Sequence, residues 1–213
     1  MTLIYFIVGT DTAVGKTVVA SLLLKKLSER HFRTLGVKPV ASGLVNGRSE
    51  DALMLAECAS IKLPYKFVNP YRFSLPIAPH IAALKNGIDL SVEKLMAACH
   101  PALSCDADVI VIEGAGGWLT PLNQKETMAD FVVSLACPVI LVVGLRLGCL
   151  NHAMLTYESI RARGVEIAAV VINVIDKYML NREENIAYLR LFFSFVPVFE
   201  VGSIDLSTID YSV

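Results

Sequence analysis

The sequence predicts an α/β fold: a single domain, residues 1–213, on a largely parallel sheet with helices on both faces. Three observations predict it. Short apolar runs rich in branched residues alternate with helical segments along the chain, the pattern of strand–helix–strand units. Those runs are continuous, as in strands buried on both faces. The 213 residues suffice to bury most of the unfolded chain's surface, and no linker, repeat or low-complexity stretch divides them.

The elements follow in order. Leu3 to Val8, LIYFIV, reads as a buried strand. The glycine loop GTDTAVGKT, Gly9 to Thr17, comes next. Val18 to Leu27 reads as a helix, with Lys25 and Lys26 near the end that favours cations. TLGVKPV (34–40) reads as one strand, and EDALMLAECAS (50–60) as a short helix. Residues 64–74 read as irregular and aromatic-rich. Helical segments follow near Ala78–Lys85 and Ser91–Ala102. DVIVIEG (108–114) is a buried strand and GAGGWLTPL (114–122) a glycine-rich loop. Then come a helix over Thr127–Ala136, the strand PVILVVG, a helix over Leu150–Arg163, the strand EIAAVVINV, a helix over Arg182–Phe193 and a last strand, VPVFEV.

Composition narrows the function. A net charge of −1 offers no surface for nucleic acid. The apolar runs fall short of the roughly 18–20 residues of a membrane span, so no membrane partner is expected. Hydrophobic residues make up 54% of the chain, which fits a large core and a buried oligomer face. The cysteines (58, 99, 105, 137 and 149) are odd in number and lack metal-ligand spacing, and the four histidines (31, 80, 100 and 152) show no paired spacing. No signal peptide is expected before Gly9, since the first apolar run itself reads as a strand. A reduced, cytoplasmic protein is expected.

GTDTAVGKT departs by one residue from the strict phosphate-binding loop, which has four residues between its glycines; Gly9 and Gly15 are separated by five. Its setting between a buried strand and a helix favours such a loop. Backbone N–H groups over Ala13, Val14, Gly15, Lys16, Thr17 and Val18, with the helix N-terminus, would surround an anion. Lys16 would reach the β- and γ-phosphates, and Thr17 would take Mg²⁺.

Ligands of parallel sheets bind beyond the C-terminal ends of the strands, so the polar residues there should form one site: Thr12, Lys16, Thr17, Lys38, Ser42, Asp51, Glu113 and Asn173. Thr17, Asp51 and Glu113 are three oxygen donors suited to Mg²⁺, and an acid ending a buried strand is the usual second half of a phosphate-loop site. Read alone, Glu113 is a solvated strand end and Asp51 a helix cap, a role compatible with holding metal. Lys38, costly if buried and unpaired, either points at anionic ligand groups or lies at a sheet edge. Gly148 precedes a helix that starts near Leu150 or Asn151. That N-terminus suits a carboxylate, unless Asn151 merely caps it.

Five motifs, GTDTAVGKT, GVKPVASG, NPYRFSLPIAPH, VIEGAGGWLTPL and PVILVVGLRLGCLNHAMLT, together resemble the dethiobiotin synthetase family, in family order over roughly residues 3 to 176. The resemblance accounts for the extra loop residue. It implies a single P-loop NTPase-like domain acting as a homodimer, with Mg²⁺ as cofactor and ATP as co-substrate. It implies the closure of 7,8-diaminononanoate with CO₂ to dethiobiotin, releasing ADP and phosphate. It implies Lys16 and Lys38 as catalytic residues. Gly114, Ala115, Gly116 and Asn173 join the ATP contacts. Thr12, Lys38, Ser42 and Gly117 hold substrate, and Asn151 does so from the partner chain. Two departures stand out. Ala13 occupies a position where the family often has Glu or Gly. Val201 to Leu206 lacks the family's Ile-Pro segment, and Val174 stands where an Asp is common, so base recognition is expected to be relaxed.

Two other classes remain. A nucleotide-switch ATPase of the partitioning or positioning type would carry a signature lysine where this chain has Asp11. An ATP-dependent amide synthase would need an ammonia source, for which the chain has no segment.

Overall fold

A computed structural model describes residues 2–204. Leu3–Gly9 forms β1, and the loop after it leads into α1, Lys16–Glu29. Next come β2 (Thr34–Val37), β3 (Val40–Ser42), α2 (Glu50–Cys58), α3 (Tyr65–Val68) and β4 (Tyr71–Phe73). They are followed by α4 (Pro79–Lys85), α5 (Val92–Leu103), β5 (Val109–Glu113), α6 (Met128–Leu135) and β6 (Val139–Leu145). The described chain closes with α7 (Cys149–Ala162), β7 (Ile167–Val174), α8 (Arg182–Phe192) and β8 (Val198–Glu200).

Among the described residues the main sheet has six strands in the order β2-β5-β1-β6-β7-β8, and every pairing is parallel. Alternate side chains of each strand enter opposite layers. Phe6 and Val8 of β1 join the core beneath α5, α6, α7 and α8. Tyr5 and Ile7 join the core beneath α1 and α2. This double burial explains the unbroken apolar runs. The chain winds to one side of β1 through β2 and β5, and to the other through β6, β7 and β8. The loop after β1 therefore sits where the winding reverses, the place where such sheets open a crevice.

The single strand expected over residues 34–40 is two. Pro39 has no N–H to give a ladder, so β2 ends at Val37 and β3 leaves the main sheet to pair with β4, Val40 opposite Tyr71. The stretch expected to be irregular, 64–74, contains α3 and β4. Among the described residues no helix is long and apolar enough to cross a membrane.

Candidate active site

Register brings the parts together. Ile7 of β1 lies opposite Glu113 of β5, so Glu113 stands two residues below the loop that starts at Gly9. On the other side Gly144 of β6 pairs with Asn173 of β7. A Cβ on Gly144 would stand 2.7 Å from Val14 Cγ1; its absence lets the loop settle on β6. Asn173 Nδ2 then donates to the Val14 carbonyl at 2.9 Å. Asn173 thus braces the loop, a contact its position at a strand end does not disclose. Gly15 lies with φ +95°, and a Cβ there would fall 2.1 Å from Asn173 Nδ2. Gly15→Ala is expected to break this brace and strain the backbone, which alone costs about 1–2 kcal/mol. Weakened ATP binding in a titration, with a lowered melting temperature, checks this. Ala13 also has positive φ, 58°, a conformation that a Gly would take without strain.

Thr17 Oγ1 donates to Glu113 Oε1 at 2.8 Å. Lys38 Nζ donates to the same oxygen at 2.6 Å and pairs with Asp51 Oδ2 at 2.7 Å. Lys16 Nζ rests on the Asp11 carbonyl at 3.0 Å. The structure therefore gathers Lys16, Thr17, Lys38, Asp51 and Glu113 at one point. Glu113 is 1% exposed, so it is not a solvated strand end. Lys38 is equally deep, 4% exposed, and is not an edge lysine. Its partners in this structure are the protein's own carboxylates, Asp51 and Glu113. Asp51 does not cap its helix. Ser49 is the N-cap, accepting from Ala52 N at 3.3 Å, and this frees the Asp51 carboxylate for Lys38.

The break at Pro39 explains how Lys38 reaches this point. With no strand to continue, its backbone is held from α3 instead. Lys38 N donates to the Val68 carbonyl at 2.8 Å, and Asn69 Nδ2 donates to the Lys38 carbonyl at 2.6 Å. The Tyr65 hydroxyl accepts from Ser49 N at 2.7 Å, so α3 also steadies the start of α2. Sequence reasoning missed Asn69, which is fully buried. Its only signal was membership of the quoted stretch NPYRF.

Charge is balanced by proximity. Burial pulls the Lys38 ammonium down, but Glu113 and Asp51 outweigh it and hold Lys38 above the ordinary lysine range. Burial is also the largest influence on Glu113 and outweighs Lys38, so its carboxyl lies above the usual carboxylate range. For Asp51 burial is opposed by Lys38, which brings the carboxyl below that range. Lys16 is lowered to about 8, by burial first and by repulsion from Lys38 second.

Among the described residues neither the buried Glu113 Oε2 nor the buried Ser42 Oγ has a hydrogen-bond partner, a state that costs free energy unless a ligand completes it. Thr17 Oγ1, Asp51 and Glu113 form an all-oxygen set with one such orphaned atom, which fits Mg²⁺ with further ligands from phosphate and water. Among the described residues no three His, Cys, Asp or Glu side chains converge as a metal site; the set here has two carboxylates and a hydroxyl.

Thr12 is exposed, with its N–H on Asp11 Oδ1 at 2.7 Å. Gly114 follows Glu113 directly, and its carbonyl is 3.4 Å from Lys38 Nζ. Beyond it Gly117 borders a cleft of about 350 Å³, walled by Thr10, Trp118, Leu119 and, from α7, Leu155 and Thr156. The helix α7 starts at Cys149 with Gly148 as its N-cap, three residues earlier than a cap at Asn151 requires. Asn151 is therefore inside the first turn and exposed, and among the described residues its side chain makes no hydrogen bond. Of the altered C-terminal segment, Val201 to Ile204 are described, whereas Asp205 and Leu206 lie outside the described residues.

A family model described as an AAA domain matches residues 4–206. The chain is 45% identical over 190 residues to the ATP-dependent dethiobiotin synthetase BioD of Xylella fastidiosa (strain 9a5c), covering 87% of this chain and 84% of that protein. It is 47% identical over 189 residues to that of Cellvibrio japonicus (strain Ueda107), covering 87% and 82%. Among solved structures it is similar to the cell division protein FtsY of Thermotoga maritima, with a TM-score of 0.57 and 14% identity over 96% of this chain and 63% of that one. It is also similar to the septum site-determining protein MinD of Pyrococcus horikoshii, with a TM-score of 0.51 and 19% identity over 86% and 76%. At these identities the structural likeness shows the fold alone.

Proposed function

The chain belongs to the ATP-dependent dethiobiotin synthetase family, and from that premise we propose how its residues share the work. The enzyme is a ligase of biotin synthesis that uses ATP to close 7,8-diaminononanoate and CO₂ into the cyclic urea of dethiobiotin, with ADP and phosphate as the other products. The chemical difficulty is to turn CO₂ into an acylating agent. One amine adds CO₂ to give a carbamate. The carbamate oxygen attacks the γ-phosphate and forms a mixed carbamic–phosphoric anhydride. The second amine attacks its carbonyl and expels phosphate. Positioning and charge neutralisation supply most of the rate in such a sequence.

The cluster around Lys38 carries the assignment. Lys38 and Lys16 face the charge that grows on the carbamate and the moving phosphoryl group. Backbone N–H groups from Ala13 to Val18 hold the phosphates, and Gly114, Ala115 and Gly116 line the opposite wall of the nucleotide site. Asn173, already bracing Val14, stands where the base enters. Thr17, Asp51 and Glu113 would hold Mg²⁺, which when bound neutralises the β- and γ-phosphate oxygens. The orphaned Ser42 hydroxyl and Thr12 take the reacting end of the diamine, and Gly117 lets it lie close to the glycine-rich loop.

The other end of the substrate is a carboxylate on a long apolar chain. The first turn of α7 offers free N–H groups and a partial positive charge, and Asn151 stands exposed on it. We assign that turn to the site of a second subunit in a symmetric homodimer. Leu147 and Leu155, 91% and 62% exposed beside it, support a covered face there. The switch-ATPase reading is not favoured. Its fold is shared, but the place of its signature lysine is taken by Asp11, which is bound in a salt bridge to Arg146.

Incubation of the protein with MgATP, bicarbonate and 7,8-diaminononanoate should give the ring product by mass. ATP loss indifferent to the diamine would favour the switch. Repeating the assay with CTP and GTP should show only modest differences in specificity constant. A preference for ATP of several hundred-fold, on the order of 3–4 kcal/mol, would show that the altered C-terminal segment reads adenine by other contacts.

A further inference from the structure

Arg146 follows β6 and lies outside every group the mechanism above uses. Its guanidinium forms a salt bridge with Oδ2 of Asp11, inside the phosphate loop. The other carboxylate oxygen, Oδ1, accepts the Thr12 N–H at 2.7 Å. The Asp11 backbone carbonyl accepts Lys16 Nζ at 3.0 Å. Asp11 is thus a hub that fixes one amide and one cation of the loop, and Arg146 is its tether. There is also a charge problem. A carboxylate inside a loop built for anions opposes the phosphates by direct repulsion, and the guanidinium cancels it. Folding does not explain the arrangement, because both side chains are 42% exposed and pairs that open to water contribute little to stability.

We propose that Arg146 is a positioning residue for the phosphate loop: it acts through Asp11, setting the Thr12 amide and the seat of Lys16 and neutralising the Asp11 charge beside the nucleotide. The inference rests on the dethiobiotin synthetase reading. It also gives Asp11 a function in this chain that the position does not have in switch ATPases, where a lysine stands.

The test uses Arg146→Gln, Asp11→Asn, their double variant and Arg146→Lys, with dethiobiotin formation and thermal melting measured for each. Arg146→Gln and Asp11→Asn should each lower kcat roughly ten- to a hundredfold, with KM for the diamine changed less than about threefold. Melting temperatures should stay near that of the unaltered protein. The double variant should be no worse than the weaker single one by more than about twofold, since both remove the same link. Arg146→Lys should restore most of the rate. Unaltered kcat in Arg146→Gln overturns the proposal. So do losses that multiply in the double variant, which would mean that Arg146 touches the ligand itself, and so does a collapse of melting in both single variants, which would make the pair structural. Failure of the unaltered protein to make the ring product is a different result, and it overturns the reading on which the inference rests.

Discussion

Lys16→Ala and Lys38→Ala should each lower turnover by roughly 10²–10³-fold, the loss typical when one preorganised charge is removed from a developing anion. Steady-state formation of dethiobiotin measures it. Near-normal turnover in either variant would remove that lysine from the mechanism. The two differ in what else they do. Among the described residues the Lys16 ammonium hydrogen-bonds a backbone carbonyl, that of Asp11, so Lys16→Ala should melt close to the unaltered protein. Lys38 is buried between Glu113 and Asp51. Removing it takes the counter-ion from Glu113 in the core, a defect of about 3–5 kcal/mol, set against a typical total stability of about 5–15 kcal/mol. Lys38→Ala is therefore expected to lower the melting temperature markedly. Lys38→Gln keeps a hydrogen-bond donor beside Glu113 and separates the two effects: turnover stays low while much of the stability returns.

Mixing inactive subunits should restore activity if each site is shared. Lys16→Ala chains lack the phosphate lysine, and Asn151→Ala chains lack the polar side chain on the first turn of α7. With free exchange and equal amounts, half of the dimers are mixed, and each mixed dimer holds one site with both lesions and one with neither. The expected rate is about a quarter of normal, far above either parent. Each variant must first be shown weak alone, and exchange of subunits must be demonstrated. A mixture as weak as its parents would place the carboxylate within one chain and remove the shared site. Gly148 as N-cap gives this test its meaning, because Asn151 has no capping duty to lose.

The resemblance in five motifs and the 45% identity to a dethiobiotin synthetase over 190 residues point the same way, because the motifs are local. A buried parallel strand, a glycine loop and a helix start are each written in consecutive residues, so β1, the phosphate loop, α1 and the acid ending β5 could be read directly. The same holds for the alternation that predicts a parallel sheet, since period and run length are properties of neighbouring positions. What the sequence could not fix is what depends on register and on a break in a run. Lys38 looked like part of a strand. Only the departure of the chain at Pro39, with Asn69 and Val68 holding the backbone, turns it inward. Asp51 looked like a cap until Ser49 took that role and Lys38 took the carboxylate. Asn173 and Val14 are 159 residues apart, and Asp11 and Arg146 are 135 apart. Such pairs form because parallel strands deliver their C-terminal ends to one edge, and which ends meet is decided by strand order. The sequence by itself determined the family, the fold class and the residue types of the site. The tertiary structure decided which charges neutralise one another, because that depends on distances between strand ends and not on spacing along the chain.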